Sequence, residues 1–118
     1  MRLAHISEFH HVKTAAAGDY DEIKSEVENG KAMLVEHAGC YFVLRADRDG
    51  LCVVCAQGKK LLSAAPLILE FAKRICAPSI IFHTKRKGLK RLLSAYPFEY
   101  AETQADGYLV YRMVLDGK

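Results

Sequence analysis

Between Cys52 and Arg74 the sequence reads CVVCAQGKKLLSAAPLILEFAKR. An apolar run stops at Gln57-Gly58-Lys59-Lys60, and a long amphipathic pattern follows. Two readings are open for such a junction. Free backbone N–H groups at the start of a helix, with lysines beside them, can hold phosphate oxygens. The same pattern also describes a plain turn between a buried strand and a buried helix. Cys52-x-x-Cys55 has the spacing of half a zinc knuckle. It lies in Leu51–Ala56, which reads as a strand, where residues three apart are expected on opposite faces. No second Cys/His pair stands at ligand spacing. The four cysteines, Cys40, Cys52, Cys55 and Cys76, are therefore expected to be reduced thiols acting as small hydrophobes, with no metal site. His10 and His11 are adjacent and would diverge in an extended chain, which argues against a shared metal. No P-loop, dinucleotide glycine fingerprint or Ser-His-Asp signature is present.

These residues sit in a chain of 118 residues, 51% hydrophobic and 26% charged, which suits one globular domain over residues 1–118. No apolar run reaches the roughly 20 residues of a membrane helix. The start, MRLAHISEFHHVK, lacks the apolar core of a signal peptide, so a cytoplasmic location is expected. A net charge of +3 is too mild to mark a dedicated nucleic-acid binder. The basic residues do bunch, at Lys59-Lys60 and from Lys85 to Arg91, as would suit an anionic ligand or equally a solvated helix face.

Hydrophobic periodicity gives the elements that must position these groups. Met1–Glu8 alternates weakly and predicts an edge strand. Tyr20, Ile23 and Val27 predict a helix over Ala15–Asn29, stopped by Asn29-Gly30. Ala32–His37, Cys40–Ala46 and Leu51–Ala56 read as an antiparallel meander, with Asp49-Gly50 as a hairpin signal. Ser63–Cys76 reads as a helix capped by Ser63, with Pro66 in its first turn and Leu67, Ile68, Phe71, Ala72 and Ile75 inward. Ser79–His83 is apolar enough to be a central strand. Lys87–Tyr96 reads as a basic amphipathic helix ended by Pro97. Phe98–Thr103 and Tyr108–Leu115 close the chain as a hairpin.

That order resembles the GNAT superfamily of acyl-CoA-dependent N-acyltransferases over nearly the whole chain, best from Leu51 onward and poorly before residue 31. The strand-turn-helix from Cys52 to Arg74 is similar to the family's cofactor segment, and RLLSAYPFEYAE…GYLVYRMVL to its last helix and closing strands. The resemblance implies an α/β class, an α+β mixed sheet that is mostly antiparallel with one splayed parallel pair and helices on both faces. It implies acetyl-CoA as co-substrate, with backbone at Val54, Cys55 and Ala56 along the pantetheine, and Lys59, Lys60, Leu61, Leu62, Ser63, Ala64 and Arg86 toward the phosphates. The family motif is Gln or Arg, two residues, Gly, one residue, then Gly or Ala. Aligned on the helix, Lys59, Leu62 and Ala64 take its places; an earlier register would start at Gln57. Neither keeps the first glycine, whose absence obstructs close approach of phosphate to backbone.

The family's general-acid Tyr falls on Leu93, with Tyr96 nearby, and its Asn falls on Arg86. No carboxylate lies on Leu51–Ala56, so Glu36, His37 and His83 are the remaining candidate bases, each of which is as readily a surface or half-buried polar residue. Tyr96 and His83 are the candidate catalytic residues. Cys55 as an acyl-carrying nucleophile would need a lowered pKa. The resemblance thus implies acetyl transfer to an amine on a small molecule or protein. The alternative is a catalytically inactive scaffold, similar to small phage or prophage members with eroded cofactor loops. Lys85, Arg86, Lys87, Lys90 and Arg91 would then meet a protein or nucleic-acid partner. A homodimer through the closing hairpin is compatible with either, and no membrane partner is expected.

Overall fold

The computed structural model describes residues 1–58, 61–83, 95–105, 107 and 109–115. The expected Lys87–Tyr96 helix, apart from Ala95 and Tyr96, lies outside them, as do Lys59, Lys60 and Arg86. The described elements are β1 (Arg2–Leu3), a 3-10 helix (Ile6–Val12), α1 (Lys13–Ala16), a short 3-10 helix (Ala17–Asp19), α2 (Tyr20–Glu28), β2 (Met33–His37), β3 (Cys40–Asp47), β4 (Gly50–Gln57), α3 (Leu61–Arg74), β5 (Ser79–His83), β6 (Glu99–Thr103) and β7 (Leu109–Val114). All seven strands form one mixed sheet in the order β1-β2-β3-β4-β5-β7-β6. Every neighbouring pair is antiparallel except β4 and β5, which run parallel. A parallel pair needs a crossover, and α3 supplies it.

Helices cover both faces. On one, Ala64, Ala65, Ile68 and Ala72 of α3 pack on Phe42, Leu44, Leu51, Val53, Ile80 and Phe82. On the other, Phe9, Val12, Ala16 and Ile23 pack on Leu34, Val43 and Cys55. Ser79–His83 is central as expected, flanked by β4 and β7. Among the described residues no helix is long and apolar enough to cross a membrane.

The N-terminal expectations need correction. Only Arg2–Leu3 is strand, because His5 and Glu8 form a reciprocal cap that starts a 3-10 helix. The His5 ring accepts from the Ser7 N–H at 3.1 Å, and the Glu8 carboxylate accepts from the His5 N–H at 2.9 Å. The helix expected over Ala15–Asn29 is broken at Ala17, whose φ of 50° no right-handed helix accommodates. It resumes at Tyr20 and ends at Asn29-Gly30.

Arg2 fastens this segment to the sheet. Its guanidinium donates to Glu36 at 2.8 Å and to Glu8 at 2.6 Å, while the Tyr41 hydroxyl donates to Glu8 at 2.8 Å. The Arg2 bond, helped by the His5 N–H and Tyr41, holds the Glu8 carboxyl down at about 2. Glu36 is also lowered, first by the Gly39 N–H and then by Arg2. A carboxyl depressed on folding stabilises the protein above its unfolded pKa, and that contribution fades as pH falls toward the folded value. The fading window therefore runs from about 4.3 down to about 2 for Glu8. Glu8→Gln should lower the urea midpoint at neutral pH, and its difference from wild type should shrink across that window. A difference independent of pH would show that Glu8 acts by shape alone.

α3 begins at Leu61, not Ser63, so Ser63 is its third residue and caps nothing. Pro66 is then sixth, inside the helix, where its ring nitrogen cannot donate to the Leu62 carbonyl. Pro66 is exposed, which leaves that carbonyl on the side of the helix turned to water. Ile75, expected inward, is exposed because the helix ends at Arg74. The stop is a Schellman motif: Ala77 N–H donates to the Ala72 carbonyl at 2.9 Å and Cys76 N–H to the Lys73 carbonyl at 3.1 Å. Cys76, at φ 59°, occupies the left-handed position that usually holds glycine.

Candidate active site

β4 carries the site, and a bulge shapes it. Val43 of β3 pairs with Cys55, but the next residue, Leu44, pairs with Val53, so Val54 is an extra residue on β4. Leu51 and Val53 face α3, and so does Ala56. Val54 and Cys55 both turn to the other face. Cys52 is there too, opposite Arg45, which binds Glu26 of α2 at 3.2 Å. The bulge thus overturns the expectation that Cys52 and Cys55 point to opposite faces: they share one. Even so, no group of three or more His, Cys, Asp or Glu among the described residues could hold a metal ion.

The second feature is the parallel pairing of β4 with β5. Its register among the described residues runs Leu51↔Ile80, Cys52↔Ile81 and Val53↔Phe82. His83, the last residue of β5, pairs with Val110 of β7.

The junction at the end of β4 is tight. Gly58 has φ 137°, and a Cβ there would stand 2.7 Å from Cys40 Cα and 3.0 Å from the Gly39 carbonyl. A glycine is therefore required where β4 leaves the sheet against the β2–β3 turn. The Gln57 side-chain oxygen accepts from the Ala15 N–H at 2.9 Å. On α3, Leu62 is 43% exposed and points to solvent, Ser63 is exposed, and Ala64 is fully buried against the sheet.

An apolar cavity lies on the α3 face beside Val53 and Ile80. Val53, Ile80 and Met113 form its floor, Ala65, Ile68 and Leu69 one wall, and Tyr96 and Phe98 the other. It encloses about 270 Å³ counting its open mouth, and no polar atom is exposed on its wall. Tyr96 therefore meets it with the ring and not the hydroxyl.

The remaining candidates are positioned elsewhere. Glu36 and His37 end β2, which is separated from β4 by β3. Glu36 is occupied by the Gly39 N–H and Arg2, at 2.8 Å each, and both hold its carboxyl below the usual range, which weakens it as a base. Cys55 is fully buried in the core formed with α1 and α2. Burial pushes the Cys52 thiol up to about 12 and raises Cys40 as well, the reverse of what a nucleophile needs. Iodoacetamide at about pH 8 is expected to modify Cys76 alone in the native protein, with the other three reacting after denaturation. Intact mass counts the additions, and rapid native labelling of Cys52 or Cys55 would contradict the burial.

Sequence reasoning missed two site features. The bulge carries no residue signature in GLCVVCAQ. The stacking of His10, His11 and Tyr41, with successive ring centroids 4.2 and 4.3 Å apart, was hidden by reading the segment as extended. No protein-family model matches this sequence, and no curated protein is significantly similar to it.

Proposed function

We propose that the chain is a GNAT-like, acyl-CoA-dependent N-acyltransferase acting on an amine of a small molecule or protein, drawing on cytoplasmic acyl-CoA. The observation that carries this reading is the β4–β5 pair, the one parallel pair among the described strands, joined by the crossover helix α3 after a β4 that carries a bulge at Val54. The extended thioester arm would run along the backbone of Val54, Cys55 and Ala56. Its phosphates would then reach the start of α3, where Leu61, Leu62, Ser63 and Ala64 belong to the first turn and free N–H groups favour anions. Lys59, Lys60 and Arg86 would add charge.

In the reaction the amine nitrogen attacks the thioester carbonyl and a C–N bond forms. The C–S bond then breaks, its electron pair leaves with sulfur, and the proton released by the amine restores the thiol of CoA. A backbone N–H of β4 would stabilise the oxyanion, so positioning supplies most of the rate. Tyr96, at the wall of the apolar cavity, and His83, the last residue of β5, are the candidates for proton transfer.

Isothermal titration with acetyl-CoA tests the reading. Micromolar binding, weakened in Lys59→Ala/Lys60→Ala, is expected; no heat above dilution up to millimolar ligand would overturn it. A second reading, an inactive scaffold for a protein or nucleic-acid partner, is favoured by the engagement of Glu36 and by the absence of any carboxylate on β4. Binding of acetyl-CoA without turnover of any amine would favour it.

A further inference from the structure

β6 ends the sheet order, with β7 on its inner side and none of the described strands on its outer side. All of its residues, Glu99 to Thr103, are exposed. We infer that this edge takes up an extended basic peptide of another protein, bound as an added strand with lysine or arginine at alternate positions. The inference is independent of the acyl-CoA reading above.

Three observations carry it. The first is a bulge. Glu99 pairs with Arg112, Tyr100 with Tyr111, Glu102 with Val110 and Thr103 with Leu109, so Ala101 is an extra residue on β6. Residues directly opposite share a face, which places Glu99 and Glu102 on the face of Arg112 and Val110. Tyr100 and Thr103 lie on the other face, where their hydroxyl oxygens stand 2.6 Å apart and the Tyr100 ring meets Tyr111 edge-on at 6.1 Å. In a regular strand two residues three apart point to opposite faces. The extra residue instead gathers both carboxylates on one. The second observation is charge. Among the described residues neither Glu99 nor Glu102 makes an ion pair or a side-chain hydrogen bond. Arg112, the cation opposite Glu99, stands 3.9 Å from Asp49 instead. The third is register. The β7 residues opposite the two carboxylates, Arg112 and Val110, are only two apart. A regular added strand has that same period, so its residues i and i+2 would meet Glu99 and Glu102 while i+1 met Tyr100. A second copy of the chain fits worse. Antiparallel pairing of two β6 strands would gather Glu99 and Glu102 of both chains on one face, and like charges opposed across a ladder destabilise it. The carboxylates thus select against self-pairing and for a basic strand.

The test is fluorescence anisotropy of a labelled, end-capped KVKYKV peptide with the full chain, and EVEYEV as its acidic counterpart. Micromolar binding of KVKYKV and none of EVEYEV is expected. Glu99→Gln/Glu102→Gln should weaken binding by about five- to tenfold, the worth of two exposed charge pairs. Glu22→Gln/Glu28→Gln changes the net charge equally at exposed positions of α2 and should leave affinity unchanged. N-methylation of alternate peptide residues should abolish binding in one parity and spare it in the other, since an added strand bonds through one edge. Equal loss in the two double variants, or tolerance of methylation in both parities, would reduce the binding to bulk charge and overturn the inference. So would absence of binding up to millimolar peptide. Sedimentation of the chain alone as a dimer that Glu99→Gln/Glu102→Gln tightens would give the edge to a second copy, and overturn it as well.

Discussion

Gly50→Ala is expected to cost about 3 kcal/mol or more, a large share of the roughly 5–15 kcal/mol that holds a domain folded. Gly50 opens β4 at φ 148°, and a Cβ built on it would stand 2.5 Å from Ser79 Oγ and 2.8 Å from Ser79 C, with the Ser79 carbonyl oxygen in contact as well. Backbone cannot swing aside as a flexible side chain can. Relief would have to separate the start of β4 from the start of β5 at the foot of their parallel pairing. Ser79 is itself buried, and its hydroxyl donates to the Asp49 carbonyl at 2.5 Å, so the same displacement would strand a buried polar group. Urea unfolding measures the cost. Gly18→Ala is the control: nothing lies within 4 Å of a Cβ there, and its effect should stay within about 0.5 kcal/mol. Similar midpoints for the two variants would show that the β4–β5 contact yields easily.

Phe82→Ala should be comparably severe, at about 3–5 kcal/mol, because truncating a buried aromatic removes transfer energy and leaves a void. Phe82 is fully buried and stands opposite Val53 in the β4–β5 pairing. Its ring meets Phe98 edge-on at 4.7 Å and stacks with Tyr111 at 5.8 Å. The loss would therefore loosen the β6–β7 hairpin and the β4–β5 pairing together. Phe82→Leu keeps most of the volume and should cost less than about 1.5 kcal/mol. If both variants cost the same, the aromatic contacts and not the volume would be what matters.

Both residues belong to segments legible in the sequence. Asp49-Gly50 between two alternating runs marks a hairpin, and a five-residue apolar run, Ser79–His83, marks a strand buried on both faces. Those local signals gave the meander, the central strand, the closing hairpin and the crossover helix between β4 and β5, and with them the α/β class. The N-terminus was less legible. MRLAHISE alternates like a strand, yet the His5–Glu8 cap and the burial of Phe9 and Val12 on one side draw it into a 3-10 helix. The start of α3 was misplaced because Ser63 and Pro66 imitate a cap and first turn, while burial of Ala64 and Ala65 favours the earlier start at Leu61.

The order of elements along the chain is thus a property of the sequence, since turn residues and apolar periods act over a few neighbouring positions. The arrangement of the candidate site is a tertiary outcome. Only pairing of β4 with β3 shows that Val54 is an extra residue, and that one residue moves Cys55 onto the face of Cys52. Only pairing with β5 shows that β4 has a parallel neighbour, and only α3 lying over the sheet walls the cavity at Ala65. Register and enclosure depend on which distant strands meet, and residues far apart in the chain leave no local periodicity from which that meeting can be read.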